Sequence, residues 1–261
     1  MIIDTHCHLY VDAFDSDRTE VVERAKEAGV GAIILPGIDK ENHPALMRTV
    51  KEFPHFCYPA IGLHPTSVTT DYKEELTFIE QQLKENDFLS IGEIGIDGYW
   101  SKEYMSQQQD AFVQQLEWAA QYDLPVIIHS RNAFNELFDI LYHIRHLSLK
   151  GVFHAFSGSY DQYKQLQKCG AFKIGIGGVV TYKNAGLAQT VTKIDPSSLI
   201  VETDAPWLTP APHRGKRNES SYITHIIQKI SELLNIPYQQ VEIFTRQNAC
   251  SLFKIPYICP A

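Results

Sequence analysis

The sequence predicts an α/β protein of the TIM-barrel, (β/α)8 type, with one domain over residues 1–261. Three observations lead to this prediction. Short apolar, β-branched runs alternate with polar stretches of helical period along the whole chain. The 261 residues divide into eight units of about 33 residues, the size of one strand–helix repeat. Metal-competent side chains end at least five of the runs, and a closed barrel brings such ends to one mouth.

Eight runs rich in Val, Ile and Phe are the candidate strands. Strands of a parallel sheet are buried on both faces and read as nearly continuous apolar runs, which these are. We expect the strands at 2–9, 32–37, 56–64, 88–97, 125–130, 151–157, 172–178 and 199–204.

The polar stretches between these runs have the spacing of amphipathic helices. In the first stretch, Val21, Val22, Ala25 and Ala28 share one face, the other faces are mostly charged, and Gly29 ends the helix. An open doubly wound sheet is the competing arrangement, but no GxGxxG follows the first strand. We expect helices at 17–29, 41–53, 72–86, 104–122, 132–147, 160–169, 185–193, 219–235 and 239–254.

Composition and charge limit the function classes. The chain has 23 Lys and Arg against 31 Asp and Glu, a net charge of −8, and 44% hydrophobic residues. This balance describes a folded globular protein and argues against one that coats nucleic acid through many basic side chains. It is compatible with an enzyme that binds one nucleic-acid end in a locally basic cleft.

The cysteines and the N-terminus predict a soluble, cytoplasmic protein. Five cysteines, an odd number without a CxxC pair, predict reduced thiols rather than a disulfide framework. No basic region followed by an apolar stretch marks a signal peptide, and no apolar run reaches the roughly 18 residues of a membrane span. No motif indicates membrane binding or an obligate protein partner.

The first strand carries the first candidate metal ligands. In the string DTHCH, His6 and His8 lie two residues apart and therefore point the same way from a strand. Two imidazoles at a barrel mouth can bind one divalent ion. Taken alone, the pair could equally be surface or half-buried histidines without a metal.

Later strands add side chains of the same kind. In GEIGID, Glu93, Gly95 and Asp97 share a face, and the glycine lets bulky groups approach. Glu93 needs a cationic partner because a charged glutamate is almost never buried alone. Each of these side chains could singly be a core histidine or a capping aspartate. The remaining candidates, at the ends of the fifth, sixth and eighth strands, are His129, His154 and Asp204.

Four histidines and two carboxylates are too many ligands for one site with open positions. They suit two ions that share a bridging carboxylate, for which Glu93 is the best candidate. We therefore predict divalent cations, two per subunit, and a hydrolytic reaction, because a metal pair activates water. Imidazole suits Zn²⁺ or Mn²⁺ and carboxylates also bind Mg²⁺, so these residue types do not identify the metal.

Seven strings, taken together, resemble one known family. They are DTHCHL, GLHP, GEIGID, PVIIHSR, FHAFSG, ETDAPWL and PHRGKRNE, in this order over nearly the whole chain. This set resembles the TatD family of metal-dependent deoxyribonucleases, which lies within the amidohydrolase-like barrels. The resemblance implies a TIM barrel, divalent metal cofactors and hydrolysis of phosphodiester bonds in DNA. The metal ligands that it implies are His6, His8, Glu93, His129, His154 and Asp204.

The resemblance also implies catalytic roles. Glu93 would be the carboxylate shared by the metals, and Asp204 would accept a proton from the attacking water. His64, in the string GLHP, matches a family histidine near the substrate phosphate, where it would bind phosphate or donate a proton. A structural histidine before the rigid Pro65 is the alternative.

A basic loop follows the strand that ends with Asp204. Residues 212–217 read PHRGKR and are the densest basic cluster of the chain, predicted to lie over the mouth. Arginine presents a fork and lysine a point charge to phosphate, although a solvated loop paired with acidic neighbours is the alternative. The candidate phosphate-binding residues are His64, Arg131, Arg214, Lys216 and Arg217.

These observations predict a metal-dependent deoxyribonuclease of the exonuclease type. A closed barrel mouth has little room for duplex, so we expect single-stranded DNA or strand ends as the substrate. Tyr99, Trp100 and Trp207 are candidates for stacking on a base, or for packing. Two alternatives stay open: an ester or amide hydrolase, including deacylation of aminoacyl-tRNA, and a non-catalytic barrel. The basic residues favour phosphate, and the intact ligand set argues against a barrel without catalysis.

Overall fold

The strands form the sheet of a TIM barrel. The computed structural model describes residues 1–100, 102–255 and 258, and in it eight parallel strands pair in chain order. Each strand overlaps one predicted run, so the predicted fold class is confirmed. The strands are β1 (Ile2–Asp4), β2 (Val30–Leu35), β3 (Cys57–Ile61), β4 (Ser90–Asp97), β5 (Val126–Arg131), β6 (Lys150–Phe153), β7 (Ala171–Ile176) and β8 (Leu199–Val201).

Single backbone contacts between the ends of β8 and β1 bring the barrel close to closure. The amide of Thr5 donates to the carbonyl of Val201, and Cys7 forms an isolated parallel bridge with Ala205. The amide of Asp204 donates to the carbonyl of His6. β1 and β8 therefore end earlier than the runs predicted at 2–9 and 199–204. The last residues of these two runs form single contacts with one another and no continuous ladder.

Nine α-helices in the described part of the chain cover the sheet, and each overlaps a predicted helix. In the first, Val21, Val22 and Ala25 are buried, on the face that the apolar spacing predicted. The helices are α1 (Arg18–Glu27), α2 (His43–Glu52), α3 (Tyr72–Glu85), α4 (Met105–Tyr122), α5 (Phe134–His143), α6 (Tyr160–Leu166), α7 (Leu187–Val191), α8 (Ile223–Leu234) and α9 (Tyr238–Phe253).

The strands bury apolar side chains on both faces. On β2, Ile33 and Leu35 belong to the large cluster that packs against the helices, whereas Ile34 belongs to a smaller cluster inside the barrel. The last helix, α9, contributes Leu252 and Phe253 to that inner cluster. The interior is thus filled by apolar side chains, and the polar residues at the carboxyl ends of the strands face a cavity at the mouth only.

Two features bear on the predicted cytoplasmic location. Cys7, Cys57 and Cys169 are free and buried, as predicted. Cys250, half-buried on α9, is disulfide-bonded, so the prediction of reduced thiols is wrong there. Cys259 lies outside the described residues. Within the described ranges, no helix combines the length and the apolar character that crossing a membrane requires. The location stays a prediction.

Candidate metal centre

Buried polar side chains meet where the carboxyl ends of the strands open into one cavity of about 670 Å³. His6 is fully buried beside its floor. The structure thus brings all six predicted metal ligands, together with His64, to one place. Those that line the cavity are His8, His64, Glu93, His129, His154 and Asp204.

Glu93 lies at the centre, with its two carboxylate oxygens facing different histidines. Oε2 is 3.0 Å from His6 Nε2 and 3.4 Å from His8 Nε2. Oε1 is 2.7 Å from His154 Nε2 and 2.9 Å from His129 Nδ1. The two oxygens therefore belong to two separate groups of donor atoms, which is the arrangement that a bridging carboxylate requires.

Asp204 adds a second carboxylate to the group that His6 and His8 form. Its Oδ1 lies 3.6 Å from His6 Nε2 and 3.8 Å from His8 Nε2, and these two nitrogens are 3.1 Å apart. Ligand atoms that surround a tetrahedral ion at about 2.1 Å are about 3.4 Å from one another. The spacing of these donor atoms is therefore that of a coordination shell.

Hydrogen bonds on the outer side fix the protonation of two histidine rings. The Tyr10 hydroxyl donates to the carbonyl of Pro36 at 2.6 Å, so it accepts from His8 Nδ1 at 3.0 Å. His129 Nε2 donates to Asp97 Oδ2 at 2.9 Å. Each ring can then offer its other nitrogen, on the inner side, to an ion, as metal-binding histidines do.

These residues fit divalent metal ions. The lone pair of His8 Nε2 converges with the carboxylate oxygens of Glu93 and Asp204, and such a convergence is repulsive unless a cation lies between the atoms. A further buried ring nitrogen, His6 Nδ1, has no hydrogen-bond partner among the described residues. Imidazole and carboxylate donors in this number are those of hydrolytic metal centres.

Sequence reasoning assigned no role to Asp97, Tyr10 or Glu202. Glu202 is fully buried, its Oε1 accepts from the amide of Ala155, and the same oxygen lies 3.6 Å from His154 Nδ1. The same-face rule that linked Glu93 with Asp97 could have found Glu202, which precedes Asp204 by two residues. Tyr10 likewise follows His8 by two residues, one position beyond the run predicted as the first strand.

His64 differs from the other histidines of the cavity. Its Nδ1 accepts from the backbone amide of Thr66 at 3.2 Å, so in the neutral ring the proton is on Nε2. Nε2 lies 3.2 Å from Glu93 Oε1. Burial lowers the pKa of His64, which keeps the ring neutral. The ring thus presents an N–H donor to the cavity, where a metal ligand would present a lone pair.

The structure does not bring the basic loop to the cavity. Arg217 forms two hydrogen bonds of 2.7 Å with the carboxylate of Asp17 at the start of α1. The guanidinium of Arg214 lies 4.2 Å from the ring centre of Tyr182, and Lys216 does not line the cavity either. The loop folds back on its neighbours because its charges find partners there. The geometry therefore does not support phosphate binding by these three residues.

Arg131 is the one lysine or arginine among the described residues that line this cavity. Its guanidinium lies 3.7 Å from the ring centre of Tyr99 and 5.4 Å from that of Trp100. Ring stacking of this kind orients the guanidinium plane and leaves its N–H groups available to an anion. Arg131 and His64 are thus the predicted phosphate ligands that the structure does place beside the metal ligands.

Known proteins place the chain in a family. The family model for TatD related DNase matches residues 3–254. The chain belongs to the TatD family. An uncharacterized metal-dependent hydrolase of Bacillus subtilis, YabD, is 36% identical over 98% of this chain and 100% of its own length. The protein named 3′-5′ ssDNA/RNA exonuclease TatD of Erwinia tasmaniensis is 29% identical, over 97% of this chain and 100% of its own.

A solved structure agrees with this assignment. The TatD homologue YJJV of Escherichia coli K12 has a TM-score of 0.89 and 32% identity, and the match covers 98% of each chain. The family predicted from the seven strings is confirmed. The chain is thus a metal-dependent hydrolase of the TatD family.

Burial and mutual charge shift the pKa values of this TatD centre in opposite directions. Burial raises the pKa of Asp204 to about 6. Burial also disfavours the charge of Glu93, but the surrounding histidines outweigh it and hold the Glu93 pKa well below its usual value. Burial lowers the pKa of His154, and the carboxylates of Glu93 and Glu202 outweigh it and raise that pKa well above its usual value. Without ions, the cluster therefore carries a proton on His154 at neutral pH.

Metal binding by the TatD centre is expected to release protons and to weaken in acid. An ion can bind His154 only after its proton leaves. Burial lowers the pKa of His129 too, but Asp97 and Glu93 outweigh it and raise that pKa, so we expect metal binding at pH 7 to release protons. Below about pH 6, Asp204 is also protonated, and the affinity falls by a further factor of about 10 per pH unit. Calorimetric titration with Mn²⁺ in buffers of different ionisation enthalpy measures both effects. An enthalpy independent of the buffer at pH 7 would contradict this expectation.

The substitution Asp97→Asn is expected to weaken metal affinity about 10- to 100-fold. The asparagine lacks the charge that fixes the His129 Nε2 proton, so the ring loses the protonation state in which Nδ1 binds an ion. Competition with a chromophoric chelator at constant pH measures the affinity. Asp161→Asn, at an exposed carboxylate paired with Lys164, is the matched control and should change nothing. Equal affinities in both variants would show that Asp97 has no such role.

Proposed function

We propose that this TatD-family protein is a two-metal deoxyribonuclease that hydrolyses phosphodiester bonds at the ends of unpaired DNA strands. The observation that carries the proposal is Glu93, whose two carboxylate oxygens face separate histidine groups. Two ions held there would supply a water of lowered pKa and would bind the phosphate oxygens. The relative named as a single-strand DNA and RNA exonuclease supports phosphodiester bonds as the substrate.

The proposal assigns a separate task to each of three side chains of the cavity. Asp204 Oδ1 lies on the His6–His8 side of the centre, where its carboxylate accepts the proton of the attacking water. His64 Nε2–H donates a hydrogen bond to a phosphate oxygen or a proton to the leaving group. Arg131 binds a phosphate oxygen with its stacked guanidinium. All three line the same cavity, so one substrate can contact them together.

The size of the cavity favours a strand end over a duplex. About 670 Å³ is within the range of sites for small ligands, and it accommodates nucleotides that have left the helical stack. A paired terminus would have to unpair first, at a cost of a few kcal/mol. Unpaired DNA is therefore the substrate we propose.

The test is digestion of 5′- and 3′-labelled single-stranded DNA. Metal-stripped protein receives Mg²⁺, Mn²⁺ or Zn²⁺, and Glu93→Gln protein from the same purification serves as the contamination control. Cleavage that metals restore and Glu93→Gln lacks supports the proposal, and the product ladder gives the polarity. Protein that holds metal but cleaves no strand would contradict the proposal. An ester or amide substrate, including an aminoacyl-tRNA ester, would then be tested next.

The variant His64→Ala is expected to lower kcat by about 10²-fold without loss of metal. The ring is placed as an N–H donor, so its removal deletes a contact to the phosphate and leaves the lone-pair donors in place. Measurements of kcat and of metal content on the same preparation test this. His146→Ala, at an exposed histidine beyond α5, is the control. Metal loss in His64→Ala would show instead that His64 is a ligand.

A further inference from the structure

Two tryptophans are exposed on opposite sides of the barrel mouth. Trp100 follows β4 and is 69% exposed, and Trp207 follows β8 and is 49% exposed. In a barrel of eight strands paired in chain order, β4 and β8 lie across from each other. Both indole rings line the cavity that contains Glu93 and Asp204. Tryptophan is highly buried on average, so two exposed rings beside a metal centre indicate a binding role.

Each ring is positioned by contacts that leave much of it open. The Trp100 ring meets that of Tyr99 edge to face at 5.1 Å between ring centres. The Trp207 ring meets the His8 ring in the same way, also at 5.1 Å. The side-chain amide of Asn218 donates to the backbone carbonyl of Trp207 at 2.7 Å and holds the Trp207 backbone in place. The two rings are thus pre-positioned on either side of the metal ligands.

An acidic cavity lies on the side of Trp207 that faces away from the metal centre. Trp207 also lines a neighbouring cavity of about 650 Å³ between the segments that follow β1 and β2. Four carboxylates of that cavity face only two guanidinium groups, so its net charge repels phosphate. A DNA strand that reaches Trp207 is therefore disfavoured from continuing past it. The charged residues of this cavity are Asp12, Asp15, Arg18, Glu41, Arg48 and Glu52.

We propose that Trp207 stacks on the terminal base of a strand and that Trp100 stacks on the next base, with the scissile phosphate between them. This inference rests on the proposed deoxyribonuclease function. Stacking on aromatic rings is the sequence-tolerant way in which proteins bind unpaired bases, whereas a base inside a duplex has both faces covered by its neighbours. Because the cavity beyond Trp207 is acidic, the strand ends at Trp207. Near Trp100, Arg131 neutralises the charge of a phosphate.

The experiment pairs each tryptophan variant with the removal of one base. Single-stranded DNA carries an abasic residue at the terminal or at the second position of the end that is cleaved. The wild type, Trp207→Ala and Trp100→Ala are compared by kcat/KM on intact and abasic strands. Tyr142→Ala is the matched control, because Tyr142 is 44% exposed on α5 and does not line the cavity.

On intact strands, each tryptophan variant is expected to lose roughly 5- to 150-fold in kcat/KM, mainly through KM. The kcat/KM of Trp207→Ala should fall almost no further when the terminal base is removed from the strand. The kcat/KM of Trp100→Ala should likewise fall almost no further when the second base is removed. Trp→Phe at either position should recover part of the loss, and Tyr142→Ala should match the wild type throughout.

A purely structural role gives a different result. If Trp207 only supports His8, Trp207→Ala loses the same factor on intact and abasic strands, and this outcome overturns the inference while the deoxyribonuclease proposal stands. If Trp207→Ala is instead insensitive to removal of the second base, and Trp100→Ala to removal of the terminal base, the assignment of the two bases is overturned. A wild type that holds metal and cleaves no strand overturns both proposals. Metal content and thermal unfolding, measured on each variant, show whether the centre is intact.

Discussion

Replacing Glu93 by glutamine is expected to lower hydrolysis at least about 10³-fold with every divalent ion, and to abolish simultaneous binding of two ions. One carboxylate serves both donor groups, His6 with His8 and His129 with His154. Glutamine offers one neutral oxygen, and its amide nitrogen carries two hydrogens toward histidine lone pairs. Both groups of ligands are therefore damaged by a substitution that leaves the side-chain volume unchanged.

Metal content and rate, measured on the same Glu93→Gln preparation, test this expectation. Elemental analysis after equilibration with Mn²⁺ gives the number of ions per chain, and the labelled-strand assay gives the rate. Glu117→Gln, at an exposed glutamate on α4, is the matched control and should retain both. If Glu93→Gln kept two ions per chain and more than a tenth of the rate, Glu93 would not be the bridge.

Much of the site could be predicted because strand geometry is local. Side chains two residues apart on a strand share a face, and this rule alone put Glu93 and Asp97 on one side of β4. The missing side chain of Gly95 predicted that bulky groups can approach there, and the backbone of His129 lies so close that a Cβ would clash with its carbonyl oxygen. Parallel pairing then brings the carboxyl ends of the strands to one mouth.

Contacts between strands could not be predicted, because they depend on how far each strand is shifted along its neighbour. In the register of β4 and β5, Gly95 lies opposite His129, and Asp97 lies opposite Arg131. The bond from His129 to Asp97 follows from this register. A shift of one residue would turn both side chains to the other face, and the runs of apolar residues are too uniform to specify it.

The loop after β8 shows a second limit, because its contacts lie far apart in the chain. Arg217 pairs with Asp17, 200 residues away, and Glu219 pairs with Arg24 of α1. A run of basic residues after a catalytic strand favours a phosphate site, yet it is equally suited to ion pairs with a neighbouring helix. Only the packing of the loop against α1 separates the two, and the sequence contains no local signal for that packing.

Asp204→Asn is expected to lower kcat about 10²- to 10⁴-fold while the centre keeps its ions at saturating metal. Three donors of that group, His6, His8 and Glu93, stay in place, so binding weakens without being lost. The carboxylate, in contrast, is the proton acceptor that the proposal assigns to this site, and an amide cannot accept a proton at neutral pH. Asp204→Asn thus separates chemistry from metal binding, whereas Glu93→Gln removes both.

The pH dependence of kcat distinguishes these roles further. An ionised acceptor is required, so the wild-type rate rises with pH as Asp204 loses its proton; bound cations lower that pKa from the value of about 6 in the metal-free protein. The residual rate of Asp204→Asn should lack this rise, and Asp139→Asn, at an exposed carboxylate on α5, should keep it. Recovery of the full rate at high Mn²⁺ would make Asp204 a ligand alone, and the proton would then have to leave through another group of the cavity.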